Sequence, residues 1–326
     1  MVALMIATVS FAQSSMLATL SHDGEISTFY GATALRDAYN VAQHGDVITL
    51  SSGSFNAVNL TKAITIRGAG MAVDTTSQSE PTFIAGNFTI AIPDSITKRL
   101  TLEGIYSNHT ITVNGNFKNG TFLKSRFSKI TPSNNSTITN LTLIHCRIAT
   151  QIDVSGSASF INSVICNPYT GEANVEYVNS VVIKNYYYDN HLGYSQFKNC
   201  ILVARYQYYS NDNYLTSSCV AFNCVATGVN FGNMFKYIPN TTNFTKSYAD
   251  IFKTFRGAYN DNETFELTDA AKTSLLGMDG TQVGIHGGNM PFSTTPTNPQ
   301  ITKCNVAAKS TADGKLSVDI TVNGAE

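Results

Sequence analysis

Four short stretches decide the fold: Asn162-Ser163-Val164, Asn179-Ser180-Val181, Asn199-Cys200-Ile201 and Asn223-Cys224-Val225. Each sets an Asn before a small residue and then a β-branched aliphatic. Asn tolerates the left-handed backbone region that a sharp corner between strands demands. Stacked amides can also hydrogen-bond from one layer to the next. Toward the N-terminus, a Gly, Ser or Cys returns in the same setting at Ile66-Arg67-Gly68, Ile84-Ala85-Gly86, Leu102-Glu103-Gly104, Leu123-Lys124-Ser125 and Ile144-His145-Cys146. From Gly68 to Cys224 the intervals are 18, 18, 21, 21, 17, 17, 20 and 24. A small residue recurring near every twentieth position is the mark of a solenoid, whose coils bury their apolar faces only by stacking on one another.

The coil length selects among solenoids. The Leu-x-x-Leu-x-Leu register of leucine-rich repeats is missing, and short β-branched runs between Asn/Ser/Gly turns argue against helical repeats. Coils of this length, with three short strands each, fit an all-β protein built as a single-stranded parallel β-helix. Nine to ten coils at the roughly 4.8 Å strand spacing predict a rod about 45–50 Å long.

The segments outside the repeats read differently. Leu35, Ala38, Tyr39 and Ala42 fall at helical spacing and predict a cap helix over 33–44, stopped at His44-Gly45. The β-helix is expected over 31–240 and an irregular closing segment over 241–299, with short helices or turns near 247–252 and 265–272 on the last coil. Two alternating strands joined around Ala312-Asp313-Gly314 predict a hairpin over 300–326, either covering the open end or forming a small module. Residues 1–12 are apolar, and Ser10 and Ala12 fit the small-residue rule for a signal peptide cut before Gln13. That run is too short to span a bilayer.

Composition narrows the partners. Charged residues make up 13% of the chain and the net charge is −1, against a usual charged fraction of roughly 25%. No basic block offers the counterion release that nucleic acid binding requires, so no nucleic acid partner is expected. A surface of Asn, Ser, Thr, Tyr and Gly suits neutral polar partners such as glycans. The six cysteines form no C-x-x-C pair and the six histidines show no metal-ligand spacing, so no metal motif is expected. Cys146, Cys200 and Cys224 fill the small-residue column as compact buried groups. Cys200 and Cys224 would lie on adjacent coils, within disulfide reach.

The order Ala34-Leu35-x-x-Ala38, then Gly45-Asp46-Val47-Ile48-x-Leu50-x-x-Gly53-x-Phe55, then Ile64-Thr65-Ile66-Arg67-Gly68-Ala69-Gly70 resembles the N-terminal cap and first coils of pectate-lyase-like right-handed parallel β-helix proteins. The likeness covers about 31–232. Residues 279–292 resemble a segment that closes the helix in exported bacterial β-helix proteins of unassigned function. The resemblance implies a right-handed helix and a bacterial protein that is secreted, periplasmic or on the cell surface. Polysaccharide lyases, glycoside hydrolases, adhesins and non-catalytic surface proteins share that fold, so it implies no single activity.

One constellation could carry function. Six positions after Ser163, Ser180 and Cys200 stand Tyr169, Tyr186 and Tyr206, and the same loops hold Tyr188, Tyr208 and His191. Aromatic faces in register could stack on sugar rings, or could simply stack on one another. Nine positions after Ser163 and Ser180 fall Glu172 and Asp189, with Arg205 and Asp212 in the same loops. Two carboxylates about 5 Å apart would suit a retaining glycosidase. Clustered oxygens would suit Ca²⁺, and Lys184 or Arg205 could serve a lyase as base. Solvated surface charges explain the same residues. Gly284-Ile285-His286-Gly287 looks like a catalytic Gly-His-Gly but lies in the closing tail. The expectation is therefore a polysaccharide-binding surface protein, with a lyase or hydrolase and a purely structural or adhesive protein as the alternatives.

Overall fold

A computed structural model describes residues 16–73, 80–184, 192–205, 215–238, 242–295, 297, 300–307, 309–311 and 313–323. The expected signal peptide lies outside them. The chain is mostly β, a parallel β-solenoid of about nine turns with little helix. Eleven strands form the first sheet and twelve the second, and each coil contributes to both.

The corner between the two sheets explains the sequence pattern. Lys124, His145, Asn162, Asn179, Asn199 and Asn223 all have φ between 44° and 55°, the left-handed region that favours Asn and Gly. The small residue that follows is fully buried in every one of these coils. Its role is to complete backbone hydrogen bonding where the chain turns. Ser163 Oγ accepts the Cys146 N–H at 3.0 Å and donates to the Ile161 carbonyl at 2.8 Å; Ser180 Oγ accepts the Ser163 N–H at 3.2 Å and donates to the Val178 carbonyl at 2.9 Å. Each hydroxyl thus bonds one coil to the next where a strand ladder has been interrupted.

The early coils depart from the expected period. Ile66 pairs with Leu102, so two expected intervals form one long coil, and Ile84 belongs to the second sheet, opposite Phe55. Gly86 also turns at positive φ, and so its surroundings read like the other corner. Glu103 pairs with Leu123, which aligns Gly104 with the corner residue Lys124 rather than with Ser125. Gly68 and Gly104 stack backbone to backbone there, since a Cβ on Gly68 would lie 2.4 Å from the Gly104 carbonyl oxygen.

Inside the coils Phe160, Tyr177 and Phe197 form an aromatic column with centroids 5.0 and 4.8 Å apart. At the N-terminal end an antiparallel hairpin, β1 (Leu17–His22) and β2 (Glu25–Tyr30), joins the first sheet through β3 (Val47–Leu50). Between them α1 (Ala34–Val41) buries Leu35, Ala38 and Tyr39 against the first coil. At the other end, a 3₁₀ turn at Phe231–Asn233 brings Met234 and Ile238 into the core. The thiols of Cys146, Cys166, Cys200, Cys219 and Cys224 are free and buried, and burial pushes the Cys146 thiol up to about 12.

Residues 247–297 do not stop on the last coil. They run back along the solenoid as a strap over the outer face of the second sheet. Ile251, Phe252, Phe255, Phe265 and Leu267 pack with outward-facing Val164, Cys166, Val181, Ile183, Ile201 and Val203 into a second core. The corner residues hold the strap's backbone. Asn223 Nδ2 donates to the Leu276 carbonyl at 3.3 Å, Asn199 Oδ1 accepts the Met278 N–H at 2.9 Å, and Asn162 Nδ2 donates to the carbonyls of Ile285 and Gly287 at 2.9 and 2.8 Å. His145 bonds the Met290 carbonyl at 3.0 Å. Among the described residues these Asn side chains bond the strap and not each other, contrary to the expected coil-to-coil ladder. Further down, Thr297 bonds Glu103, which also pairs with Arg67 at 3.2 Å. The hairpin of Gln300–Val306 and Val318–Asn323 therefore leaves the strap beside an early coil, away from the C-terminal end.

A polar clasp fixes the strap's middle. Arg126 Nε donates to Asp261 at 2.9 Å and the Tyr259 hydroxyl donates to the same oxygen at 2.7 Å. Arg147 donates to the carbonyls of Asp261 and Glu263 at 3.2 and 2.9 Å. Burial alone would raise the Asp261 pKa, but the hydrogen bonds from Arg126 and Tyr259 and the Arg126 charge outweigh it and hold the carboxyl below its ordinary value.

Two outcomes follow from this clasp and from the Asn corners. Asn162→Gly keeps the corner conformation but strands two strap carbonyls, a loss of about 1–3 kcal/mol. Asn162→Ala adds roughly 1 kcal/mol for a left-handed backbone, so urea melts should rank wild type above Gly above Ala. Asp261 contributes stability that is complete above its unfolded pKa of about 3.9 and lost as pH falls through the lower folded value. Protease sensitivity of the strap should rise in that acid window, and Asp261→Asn should abolish the pH step while loosening the strap at neutral pH.

Candidate functional site

The strap covers only part of the second sheet's outer surface. The strands Ile105–Val113, Arg126–Pro132 and Arg147–Asp153 continue past a register shift between Phe127 and Lys129, which turns their second halves onto a third face. The next coil makes the same turn at Asn167, φ 42°, leading into the strand Pro168–Tyr169. On this face a single row runs along the axis: Thr89 opposite Thr112, Thr112 opposite Thr131, and Asp153 opposite Tyr169. Thr131 Oγ1 donates to Asp153 Oδ2 at 2.6 Å and so joins the two halves of the row. Gln151 Nε2 donates to the other Asp153 oxygen, also at 2.6 Å. Tyr169 ends the row with 46% of its surface exposed.

Beside this row Thr110, Lys129 and Gln151 form a second, in register. Ser128 and Thr150 hydroxyls meet at 3.1 Å, and Asn167 Nδ2 donates to the Thr150 carbonyl at 2.7 Å. Hydroxyls, amides, one ammonium and one carboxylate thus repeat at the strand spacing of roughly 4.8 Å. Such a surface can donate to and accept from a polyhydroxylated chain, and the Tyr169 ring can stack on a sugar face.

Of the residues singled out in the sequence, Tyr169 sits in this row. Glu172 lies in the next turn, closed by the Ala173 N–H to the Thr170 carbonyl at 2.7 Å. It is exposed and has no ion pair among the described residues. Arg205 follows the strand Ile201–Ala204, its N–H on the Lys184 carbonyl at 3.0 Å. Its charge acts on the Cys166 thiol and the Tyr248 hydroxyl at the strap. Tyr186, Tyr188, Asp189, His191, Tyr206, Tyr208 and Asp212 lie outside the described residues. His286 holds the Thr264 carbonyl at 2.7 Å within the strap. No group of three or more His, Cys, Asp or Glu among the described residues is placed to hold a metal ion.

The sequence reading missed Thr112, Thr131, Gln151 and Asp153. A signal was present: counting six positions from Ser125 reaches Thr131, as six from Ser163 reaches Tyr169. Asp153 is seven from Cys146, displaced by the one residue that the register shift inserts.

Comparisons with protein-family models, with curated proteins and with solved structures give no match. No helix among the described residues is long and apolar enough to cross a membrane.

The turn beside Tyr169 depends on one glycine. Gly193 has φ 35°, and a Cβ there would stand 1.5 Å from the Gly171 carbonyl oxygen on the coil below. Gly193→Ala should therefore force the Gly171–Glu172 turn to move, at a cost above about 2 kcal/mol, measured as a lowered urea midpoint.

Proposed function

We propose that the protein binds polysaccharide along its third face, as an exported or surface protein. The observation that carries this reading is the axial row Thr89, Thr112, Thr131, Asp153 and Tyr169, which is polar and terminates in a half-exposed ring. An elongated ligand with repeating hydroxyls matches a site whose donors and acceptors repeat coil by coil. The low charge of the chain supports a neutral glycan over a polyanion. Asp153 serves this reading as an acceptor already oriented by Thr131 and Gln151, because a carboxylate fixed in this way can take a sugar hydroxyl without reorganising.

A glycan array followed by titration tests the idea. Binding to at least one polysaccharide is expected, with Tyr169→Ala weakening it about tenfold, the worth of roughly 1.4 kcal/mol of ring contact. Thr131→Val should weaken it as well, by freeing Asp153 to rotate. Binding unaffected by either change, or absent from every polysaccharide, would rule the third face out.

A further inference from the structure

A cleft of about 330 Å³ opens at the N-terminal end between the β1–β2 hairpin and the first coil, lined by His22, Asp23, Gln43, His44, Asp46 and Lys98. Its side chains are held in place. Asp46, 8% exposed, accepts the Gln43 N–H at 2.7 Å and bonds His22 Nδ1 at 2.9 and 3.1 Å. This puts a proton on Nδ1 and leaves His22 Nε2 in the cleft, 3.5 Å from the Gln43 amide nitrogen. His44 Nδ1 accepts the Ala63 N–H at 2.9 Å, so the neutral ring carries its proton on Nε2.

Lys98 is the telling group. Its ammonium donates to the His44 carbonyl at 2.6 Å and lies 2.6 Å from where a Cβ on Gly45 would stand. Gly45, at φ 98°, is what lets the ammonium come so close. Among the described residues no carboxylate lies within ion-pair distance of Lys98. A cation pinned against the backbone, beside a cleft lined with further N–H donors, has the features of an anion subsite.

We propose that this cleft binds a carboxylate-bearing ligand, with Lys98 as its charge partner, Gln43 and His44 as hydrogen-bond donors, and His22 as a further donor once its ring is protonated. Both oxygens of Asp46 are already engaged, which disfavours a bound cation. The fixed charges of Asp46 and of Asp23, 3.5 Å from His22, repel a dianion more than a monoanion. A carboxylate therefore fits better than a phosphate.

The site has a pH dependence of known sign. The hydrogen bond to Asp46 raises the His22 pKa above its ordinary value, against the opposing effect of burial and with help from the charges of Asp46 and Asp23. The charged groups facing His22 are Asp46 at the start of β3, Asp23 on its own turn and Lys98 from the loop before Leu100. As pH falls through the raised value His22 gains a positive charge, and carboxylate binding tightens.

The test is an NMR titration of the full chain with acetate, glucuronate, glucose and inorganic phosphate, reading the His22 and His44 ring protons near pH 5.5 and near pH 8. Acetate and glucuronate should shift both rings saturably, and bind several-fold more tightly at the lower pH. Glucose should leave the rings unmoved. Lys98→Met should weaken acetate about tenfold. Should Lys98→Met fail to fold, Lys98→Gln keeps a donor for the His44 carbonyl and removes only the charge. Absence of saturable shifts, phosphate binding as tightly as acetate near pH 8, where it is a dianion, or undiminished binding by the Lys98 variants would overturn the proposal. Because the overturning results rest on acetate, phosphate and the Lys98 variants, none of which touches the third face, failure here is distinct from failure of the glycan reading.

Discussion

Every coil must turn sharply between its first two strands, and the energetic problem of that turn organises the molecule. The corner residue takes a left-handed backbone conformation, and strand pairing is interrupted as the chain turns. A buried Ser hydroxyl restores the missing bond in the coils of Ser125, Ser163 and Ser180. In the Cys coils the thiol makes weaker contacts with nearby carbonyls, as at Cys146 and Cys200. The corner's own side chain is then free to face outward. That freedom lets the amides of Asn162, Asn199 and Asn223 bind the strap rather than their own coils.

The strap makes the apolar outer face of the second sheet possible. Val164, Val181, Ile201 and Val225 would otherwise sit exposed beside one another, a contiguous patch of the kind soluble proteins avoid. Covering them with Phe252, Phe255 and Phe265 yields a second core outside the coils. Arg126 and Arg147 mark where this cover ends. Past them the strands bend, and the sheet surface turns polar at Thr110, Thr131 and Gln151. The boundary between covered and open surface is thus set by a register shift and two guanidinium groups.

The solenoid was legible because its strongest constraint is local. The left-handed Asn, the small buried residue and the β-branched residue after it occur within three positions, and five of the eight expected intervals match coil-to-coil pairing. The early coils misled because Gly86 turns at positive φ at the other corner and Gly104 takes the corner position itself, one residue ahead of the small-residue column, and glycine carries no side chain to tell these places apart. The strap's course was illegible for the opposite reason. Its short helices, Tyr248–Ile251 and Asp269–Ser274, fall where the sequence predicts helices or turns, but its partners lie up to roughly two hundred positions away, as with Glu103 and Thr297. On the third face Tyr169 was recognisable by counting, whereas Asp153 was hidden by the extra residue that bends its strand.

The position of the strap along the chain also fixes an order of events. Coils from Gly53 onward can stack as they emerge, each templated by the one before, but their aliphatic flank stays wet until residues 247–292 have been made. A nascent chain halted before those residues emerge would therefore present a complete ladder of strands with one greasy side, a species prone to self-association. Synthesis of the strap decides whether the flank of everything already wound is covered.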